Sequence, residues 1–590
     1  MEPLQTPSLV HLFFTNCERE DFAGWYHRKN EQWVHFSRTH LRDNTRYLAL
    51  AFKNRGINPG QSIGIVANSC PEWIMADIAS QINQAKVVPL FPNISSENFN
   101  FQCDDSDVQI LLLNNVKELD QALQDCLGRF KAVICIDPGS SLPENGVYWS
   151  DLLKEGEELA KKEQSTLWLV NQISTITPDA TFSIIYTSGS TGRPKGAELT
   201  HRNMLSQIQV IKKDFIHLDR RSDVALVILP VAHVLERMSV YFYILNGTKI
   251  YFGDTPKNAS TLMTEIRPTV MTVVPRILER VYESMTGAAD KLYGPKRWLL
   301  DRAIKLAKIE DPLKRPSLGK RIYDKLVYSK MRDAIGGRFR IIVSGGGALN
   351  KSICRFLLNV GLNVTEGYGL TECSPVVSVN KIGSIRPGSV GTPLTHLQVK
   401  IGENSEVLVK GDSVFKGYHN MPETNKEIFT EDGFFRTGDQ GSFDKDGYLF
   451  LTGRIKELLK TSTGKYVSPN PIELEISRHP LVEQALVIAN DRKFASVLIF
   501  LNPVNARRFL QRDKHDFDVN KAMESTRINE ALQRHITRIN KKLNHWEQIR
   551  KWTLVGDSLT VESGLLTPTL KIRRKAAEEK YAEEIERMYQ

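Results

Sequence analysis

The apolar positions of this 590-residue chain gather in short runs, separated by longer stretches in which they recur at helical spacing. The runs at 62–67, 87–91, 108–113, 132–136, 225–229 and 340–343 are rich in aliphatic residues and read as largely buried strands. Their alternation with helical patterns predicts an α/β fold. A further short strand is expected at 182–186. Near Gly433 the texture changes to short β pieces, and "GSFDKDGYLFLTG" predicts a hairpin turning at 444–447. Two more strands, 484–489 and 496–501, precede an end that is helical and highly charged. The expected organisation is a large N-terminal domain of α/β layers, residues 1–453, followed by a small C-terminal α+β domain, residues 454–590. No internal repeat or low-complexity tract interrupts this pattern.

Composition narrows the class. The hydrophobic fraction is 41% and the charged fraction 25%, as in a soluble globular protein. The best apolar run, 224–235, is too short to cross a bilayer and contains Pro230 and His233. The first residues lack a basic leader followed by an apolar run, and the seven cysteines show no C-x-x-C spacing. Reduced thiols in the cytoplasm are therefore expected.

The net charge of +10 is unevenly spread. Residues 291–340 carry 15 Lys/Arg against 5 Asp/Glu. Within them, "RWLLDRAIKLAKIE" sets Leu299, Leu300, Ala303, Ile304, Leu306 and Ala307 on one helical face, with basic residues opposite. A solvated helix packed on the domain is one reading. A patch for an anionic ligand, or for peripheral contact with anionic membrane at its inner face, is the other. Nucleic acid is not expected as a partner, because no aromatic interleaving or binding motif accompanies the charge.

Chemistry concentrates in "YTSGSTGRPKGAELTHRN", from Tyr186 to Asn203. Glycines Gly189, Gly192 and Gly196 let main-chain N–H groups turn onto an anion. Thr187, Ser188, Ser190 and Thr191 add hydroxyl donors, and Lys195 adds a point charge. The Walker A spacing does not fit, since Gly189 and Gly192 are only three apart and Gly196 stands where Ser or Thr is required. This is a phosphate-holding loop of another kind.

Four further stretches follow in order: "EGYGLTEC" at 366–373, "FRTGDQG" at 435–441, "GRIKELLKTSTGKYVSP" at 453–469 and "LTPTLKIRR" at 566–574. With the opening loop they resemble the adenylate-forming superfamily of acyl-CoA synthetases, adenylation domains and luciferases. The closing segment and "LPVAHVLERM" at 229–238 look most like the long-chain fatty acyl-CoA synthetase branch. The resemblance implies an adenylate-forming fold with a mobile C-terminal lid. It implies activation of a fatty acid by ATP to an acyl-adenylate, with pyrophosphate released and CoA as the acceptor. An acyl carrier protein is the alternative acceptor.

The resemblance also implies roles. Thr187, Ser188, Gly189, Ser190, Thr191, Gly192 and Lys195 would wrap the phosphates, and Thr187 and Glu372 would hold Mg²⁺. Thr371 would touch the α-phosphate, Tyr368 beside Gly367 would stack on adenine, and Gly346 would let substrate pass close to the backbone. Asp439 and Arg454 would reach the ribose. Lys571 would act in adenylation, Lys456 would mark the hinge of the lid, and Lys460 would face the nucleotide in one conformer. Where some long-chain members carry an aromatic gate, this chain has Arg237. His233 keeps the family's histidine.

Overall fold

The computed structural model describes residues 6–29, 31–91, 94–187, 193–253, 258–510, 517–557, 559, 563–566 and 572–590, without the side chains of Asp290, Lys291 and Lys456. The chain divides into two compact units. One comprises Met1–Lys400, Leu408–Arg436 and Lys445–Leu449; the other comprises Ile401–Val407, Thr437–Asp444 and Phe450–Gln590.

In the larger unit the apolar runs become strands of two sheets, their ends displaced by a residue or two. The eight-stranded sheet has the order Gly417–Tyr418, Lys195–Thr200, Thr181–Thr187, Lys86–Pro89, Ser62–Val66, Val108–Leu113, Ala132–Cys135, Gly146–Tyr148. From Thr181–Thr187 onward its pairs are parallel, and every residue of Ser62–Val66 is buried. A parallel strand covered on both faces needs apolar residues at consecutive positions, which is why the runs are continuous. A nine-stranded sheet carries the parallel strands Val224–Val227, Val270–Val273, Ile341–Ser344 and Val364–Gly369 at its centre. Among the described residues no helix is long and apolar enough to cross a membrane. All seven cysteines are free thiols, and all but the partly covered Cys126 are buried.

The helix Pro71–Ile82 is buried at every position, although it contains Glu72, Asp77, Ser80 and Gln81. Its polar groups therefore need internal partners. Asp77 receives hydrogen bonds from Arg237 Nε at 2.9 Å, Arg237 Nη2 at 2.5 Å, the Tyr241 hydroxyl at 2.6 Å and Gln81 Nε2 at 2.7 Å. Arg237 also donates to Ser183 Oγ at 2.7 Å, and its guanidinium lies 5.0 Å from the Trp73 ring and 4.8 Å from that of Phe182. Both Arg237 and Asp77 have no exposed side-chain surface. Arg237, at the gate position of the family pattern, is thus fixed in the core.

In the smaller unit Val482–Ile488 pairs antiparallel with Ala495–Leu501, as the apolar runs predict. Ala495–Leu501 then pairs in parallel with Ile549–Val555. That third strand corrects the reading of the charged end as helical. Its sequence, IRKWTLV, is fully buried only at its two ends, and the adjacent exposed Arg550 and Lys551 hide the strand signal in a basic run. Helices Pro469–Ile476 and Thr526–Asn540 supply Ile472, Ile476, Ile528, Leu532 and Ile536 to one apolar cluster. Helices Arg574–Lys580 and Ala582–Tyr589 supply Ala577, Ile585 and Met588 to another. The expected hairpin forms between Phe435–Phe443 and Leu449–Arg454, with Gly447 at φ 79° in its turn.

Removing one partner of a buried ion pair strands the other charge, at a cost of about 3–5 kcal/mol. Asp77→Ala is expected to lower unfolding free energy by about that amount in urea titrations, while Asp77→Leu combined with Arg237→Met recovers most of it. A loss of under about 1 kcal/mol in the single variant would contradict a structural role for the pair.

Candidate active site

Strands Thr181–Thr187 and Lys195–Thr200 pair antiparallel, with Thr187 opposite Lys195. They frame the candidate phosphate loop. Ser188, Gly189, Ser190, Thr191 and Gly192 lie outside the described residues. The frame itself is firmly held: the Tyr186 hydroxyl donates to Asp105 Oδ2 at 2.6 Å, and Thr187 Oγ1 donates to the Lys195 carbonyl at 3.4 Å.

A segment with no motif in the sequence reading completes this region. Gly417–Tyr418 pairs antiparallel with Lys195–Thr200 and opposes Tyr418 to Ala197. The Tyr418 ring then lies 5.1 Å from Lys195 Nζ, and its hydroxyl donates to Glu372 Oε1 at 2.7 Å. Burial, and then the Glu372 carboxylate, push the phenol's pKa up, so Tyr418 stays a neutral donor. Tyr418 thus connects Lys195 to Glu372 across more than 170 intervening residues. His419 and Glu198 meet at 2.6 Å beside it, and Asn203 Nδ2 holds the Asp412 and Val414 carbonyls at 2.8 and 2.9 Å. A Phe-x-x-Tyr-His cluster at 415–419 was the available signal.

Glu372 is buried within the short 3₁₀ turn Thr371–Cys373, so Thr371 comes with it. The turn follows Val364–Gly369, the strand that bears Gly367 and the buried Tyr368. The reversal is tight: a Cβ at Gly369 would sit 2.1 Å from the Pro375 carbonyl oxygen, so only glycine fits. Gly346 lies just past the neighbouring strand Ile341–Ser344, at φ 77°, a conformation that favours glycine. His233 accepts a hydrogen bond from Leu235 N at 3.3 Å and caps Val234–Asn246.

Glu366 opens the same motif but does different work. Its carboxyl is buried and receives Leu349 N at 3.0 Å. Burial pushes its pKa from 4.5 to about 7.

The smaller unit holds the other candidates. Asp439 is buried and receives Arg454 Nε at 2.7 Å; Arg454 itself is half exposed. Gly438, at φ 71°, donates its N–H to Glu406 Oε1, and Thr437 Oγ1 receives Asp439 N. Lys460 lies on the two-residue strand Leu459–Lys460, paired with Tyr466–Val467 around a turn closed by Thr461. Lys571 lies outside the described residues, as does the side chain of Lys456. Of the neighbouring cations, Arg574 is committed to Glu473 and the Val487 carbonyl, each at 2.6 Å, while Lys575 is almost fully exposed.

Two sheets of buried parallel strands, a smaller α+β unit and this motif order define an AMP-binding enzyme. The family model for AMP-binding enzymes matches residues 16–419, that for the AMP-binding enzyme C-terminal domain matches 456–590, and the chain belongs to this family. It is 31% identical over 565 residues to long-chain-fatty-acid–CoA ligase FadD15 of Mycobacterium bovis, covering 94% of this chain and 92% of that protein. It is 28% identical to long-chain-fatty-acid–CoA ligase 5 of Rattus norvegicus, covering 96% and 86%. Among solved structures, the adenylation domain of a carboxylate reductase from Mycobacterium chelonae superposes with a TM-score of 0.74 at 20% identity, over 99% of this chain and 92% of that one. The adenylate-forming fold expected from the motifs is therefore the fold observed.

Glu366 carries a pH prediction. Above pH 4.5 the unfolded chain releases this proton, whereas the folded chain keeps it to about pH 7. Its contribution is fully present below 4.5 and is lost as pH rises through that window. Glu366→Gln, which mimics the neutral acid, is expected to flatten this decline in urea midpoints. Parallel pH profiles for variant and parent would contradict the buried neutral acid.

Proposed function

We propose that this protein activates a long-chain fatty acid with ATP and transfers the acyl group to CoA. A carboxylate oxygen attacks the α-phosphorus and pyrophosphate leaves, giving acyl-AMP; the CoA sulfur then attacks the acyl carbonyl and AMP leaves. The observation that carries this reading is the Lys195–Tyr418–Glu372 contact at the mouth of the 187–195 hairpin, in a chain matched almost end to end by relatives named as long-chain-fatty-acid–CoA ligases.

Charge accumulates on the phosphates during the first step, so preorganised cations and N–H donors favour it. In this reading Lys195, with Ser188, Gly189, Ser190, Thr191 and Gly192, holds the β- and γ-phosphates, and Thr371 contacts the α-phosphate. Tyr368 packs on adenine beside Gly367, Gly346 leaves room for substrate, and Asp439 with Arg454 binds the ribose. Among the described residues no group of three or more His, Cys, Asp or Glu forms a metal cage. That suits Mg²⁺, which keeps waters and phosphate oxygens around one or two protein ligands. Thr187 and Glu372 would hold it, and it would supply neutralisation of phosphate charge. The Tyr418 donor keeps the Glu372 carboxylate oriented for that task.

The second step needs Lys571 withdrawn and the acceptor admitted. A boundary at 453/454, with the hinge at Lys456, lets residues 454–590 exchange one face for another, Lys460 facing the nucleotide in one arrangement. A carrier protein as acceptor would use the same first step. Thioester detection with CoA separates the two acceptors. The anionic membrane is a further partner of this reading, through residues 291–340.

Two experiments test it. Glu372→Gln keeps shape and removes charge; pyrophosphate exchange driven by fatty acid is expected to fall at least ~100-fold with the fold intact, the scale of losing one charge-stabilising group. Unchanged exchange would remove Glu372 from the metal site. Lys571→Ala is expected to cripple acyl-AMP formation yet still convert supplied acyl-adenylate and CoA to thioester. Lys456→Pro, which fixes φ at the hinge, should show the opposite bias. Equal damage to both steps by Lys571→Ala would overturn the two-arrangement account.

A further inference from the structure

Helix Ser96–Asp105 belongs to none of the motifs, yet it meets the frame of the phosphate site at three places. Its buried face carries Phe99, Gln102 and Cys103. Phe101 and Asp105, one turn apart, form a second face. The Phe101 ring makes a T-shaped contact with Tyr186, centroids 6.1 Å apart, and the Arg193 guanidinium lies 5.8 Å from the same ring. Asp105 Oδ2 accepts the Tyr186 hydroxyl at 2.6 Å. Asn420 Nδ2 donates to Asp105 Oδ1 at 3.2 Å and to the Asp105 carbonyl at 3.1 Å.

Each of these partners adjoins a residue of the candidate site. Tyr186 precedes Thr187, Arg193 stands two residues before Lys195, and Asn420 stands two residues after Tyr418. Successive side chains of a strand leave its opposite faces, so holding Tyr186 sets the orientation at which Thr187 is presented. Asn420 has φ 53°, a left-handed conformation that asparagine adopts more readily than most residues. Its amide ties the end of the 417–418 edge strand to the helix.

Helix stability does not account for Asp105. It is the last residue of the helix, where the backbone carbonyls disfavour an anionic side chain. No basic residue in the last turn offsets this, and the neighbouring Asp104 is met from outside the helix by Arg129 at 2.5 Å. A carboxylate in that place is explained by what it receives, two donors from segments far apart in the chain. Burial, and then Asp105, push the Tyr186 phenol's pKa up, so the hydroxyl stays a donor.

We propose that Phe101 and Asp105 are positioning residues for the phosphates of ATP. Acting through Tyr186, Arg193 and Asn420, they hold Thr187, Lys195 and Tyr418 at one fixed spacing. That this spacing serves ATP rests on the proposed function.

The full-length protein is tested by equilibrium dialysis with labelled ATP and, separately, labelled AMP, each with Mg²⁺. Asp105→Ala is expected to weaken ATP binding at least about tenfold, the scale on which a small misplacement of contacts is felt. AMP binding should be unaltered, because Lys195 is assigned to phosphates that AMP lacks. Asp105→Asn, whose amide oxygen still accepts the Tyr186 hydroxyl, should keep the parent's ATP affinity. Phe101→Leu keeps apolar volume but takes the ring from Arg193, and should weaken ATP binding in the same sense. Asp105→Ala combined with Tyr418→Phe should lose less than the product of the two single effects, since both act through one segment. Urea midpoints report stability separately, and the buried face of the helix is untouched in every variant. Unaltered ATP affinity in Asp105→Ala, equal loss of ATP and AMP affinity, or a parent that binds no ATP would each overturn the proposal. A parent that binds ATP but shows no pyrophosphate exchange with fatty acid would count against the proposed activity alone, and the ATP comparison would still decide this inference.

Discussion

The hydrogen bond from the Tyr418 phenol to Glu372 is the constraint on which the rest of the site depends. A carboxylate buried in a short turn is costly unless a donor meets it. Tyr418 provides a donor and places its ring against Lys195. It can do so only because residues 417–418 add an edge strand to the hairpin that carries the lysine. Two segments far apart in the chain are thereby registered by a backbone ladder, and the Tyr418 side chain carries that register to Glu372.

The interior of the larger unit shows the complementary principle. Asp77, Arg237, Tyr241, Gln81 and Ser183 form a polar knot inside an otherwise apolar region. Every donor aimed at Asp77 offsets part of the cost of burying it. The rings of Trp73 and Phe182 both lie within cation–π distance of the guanidinium. An arginine this restrained cannot swing as a gate does, so access of an acyl chain in this protein does not depend on motion at position 237.

Much of this was legible in the chain, for definable reasons. Parallel strands buried on both faces write themselves as continuous apolar runs, so 62–66 and 108–113 were plain. Tight turns write themselves as glycines, so the reversal at Gly369 was marked by its own sequence. Tyr418 was marked only by the Phe-x-x-Tyr-His cluster, because its role arises from a pairing between 197 and 418 that is distant in the chain. The strand Ile549–Val555 was hidden for the opposite reason: its exposed positions are basic and imitate a charged helix.

The cysteines bear on the chemistry in a way their spacing does not suggest. An acyl-adenylate is an electrophile, and a thiolate within the same polypeptide would intercept it. Burial pushes Cys17 and Cys103 up to about 12 and raises Cys70, Cys135 and Cys354 as well. Cys373, adjacent to Glu372, is enclosed completely. Since the thiolate is the nucleophile, burial makes Cys17, Cys70, Cys103, Cys135 and Cys354 poor nucleophiles at neutral pH. Six of the seven thiols are thus kept from an acyl-adenylate by enclosure, and only the partly covered Cys126 is left within reach of one.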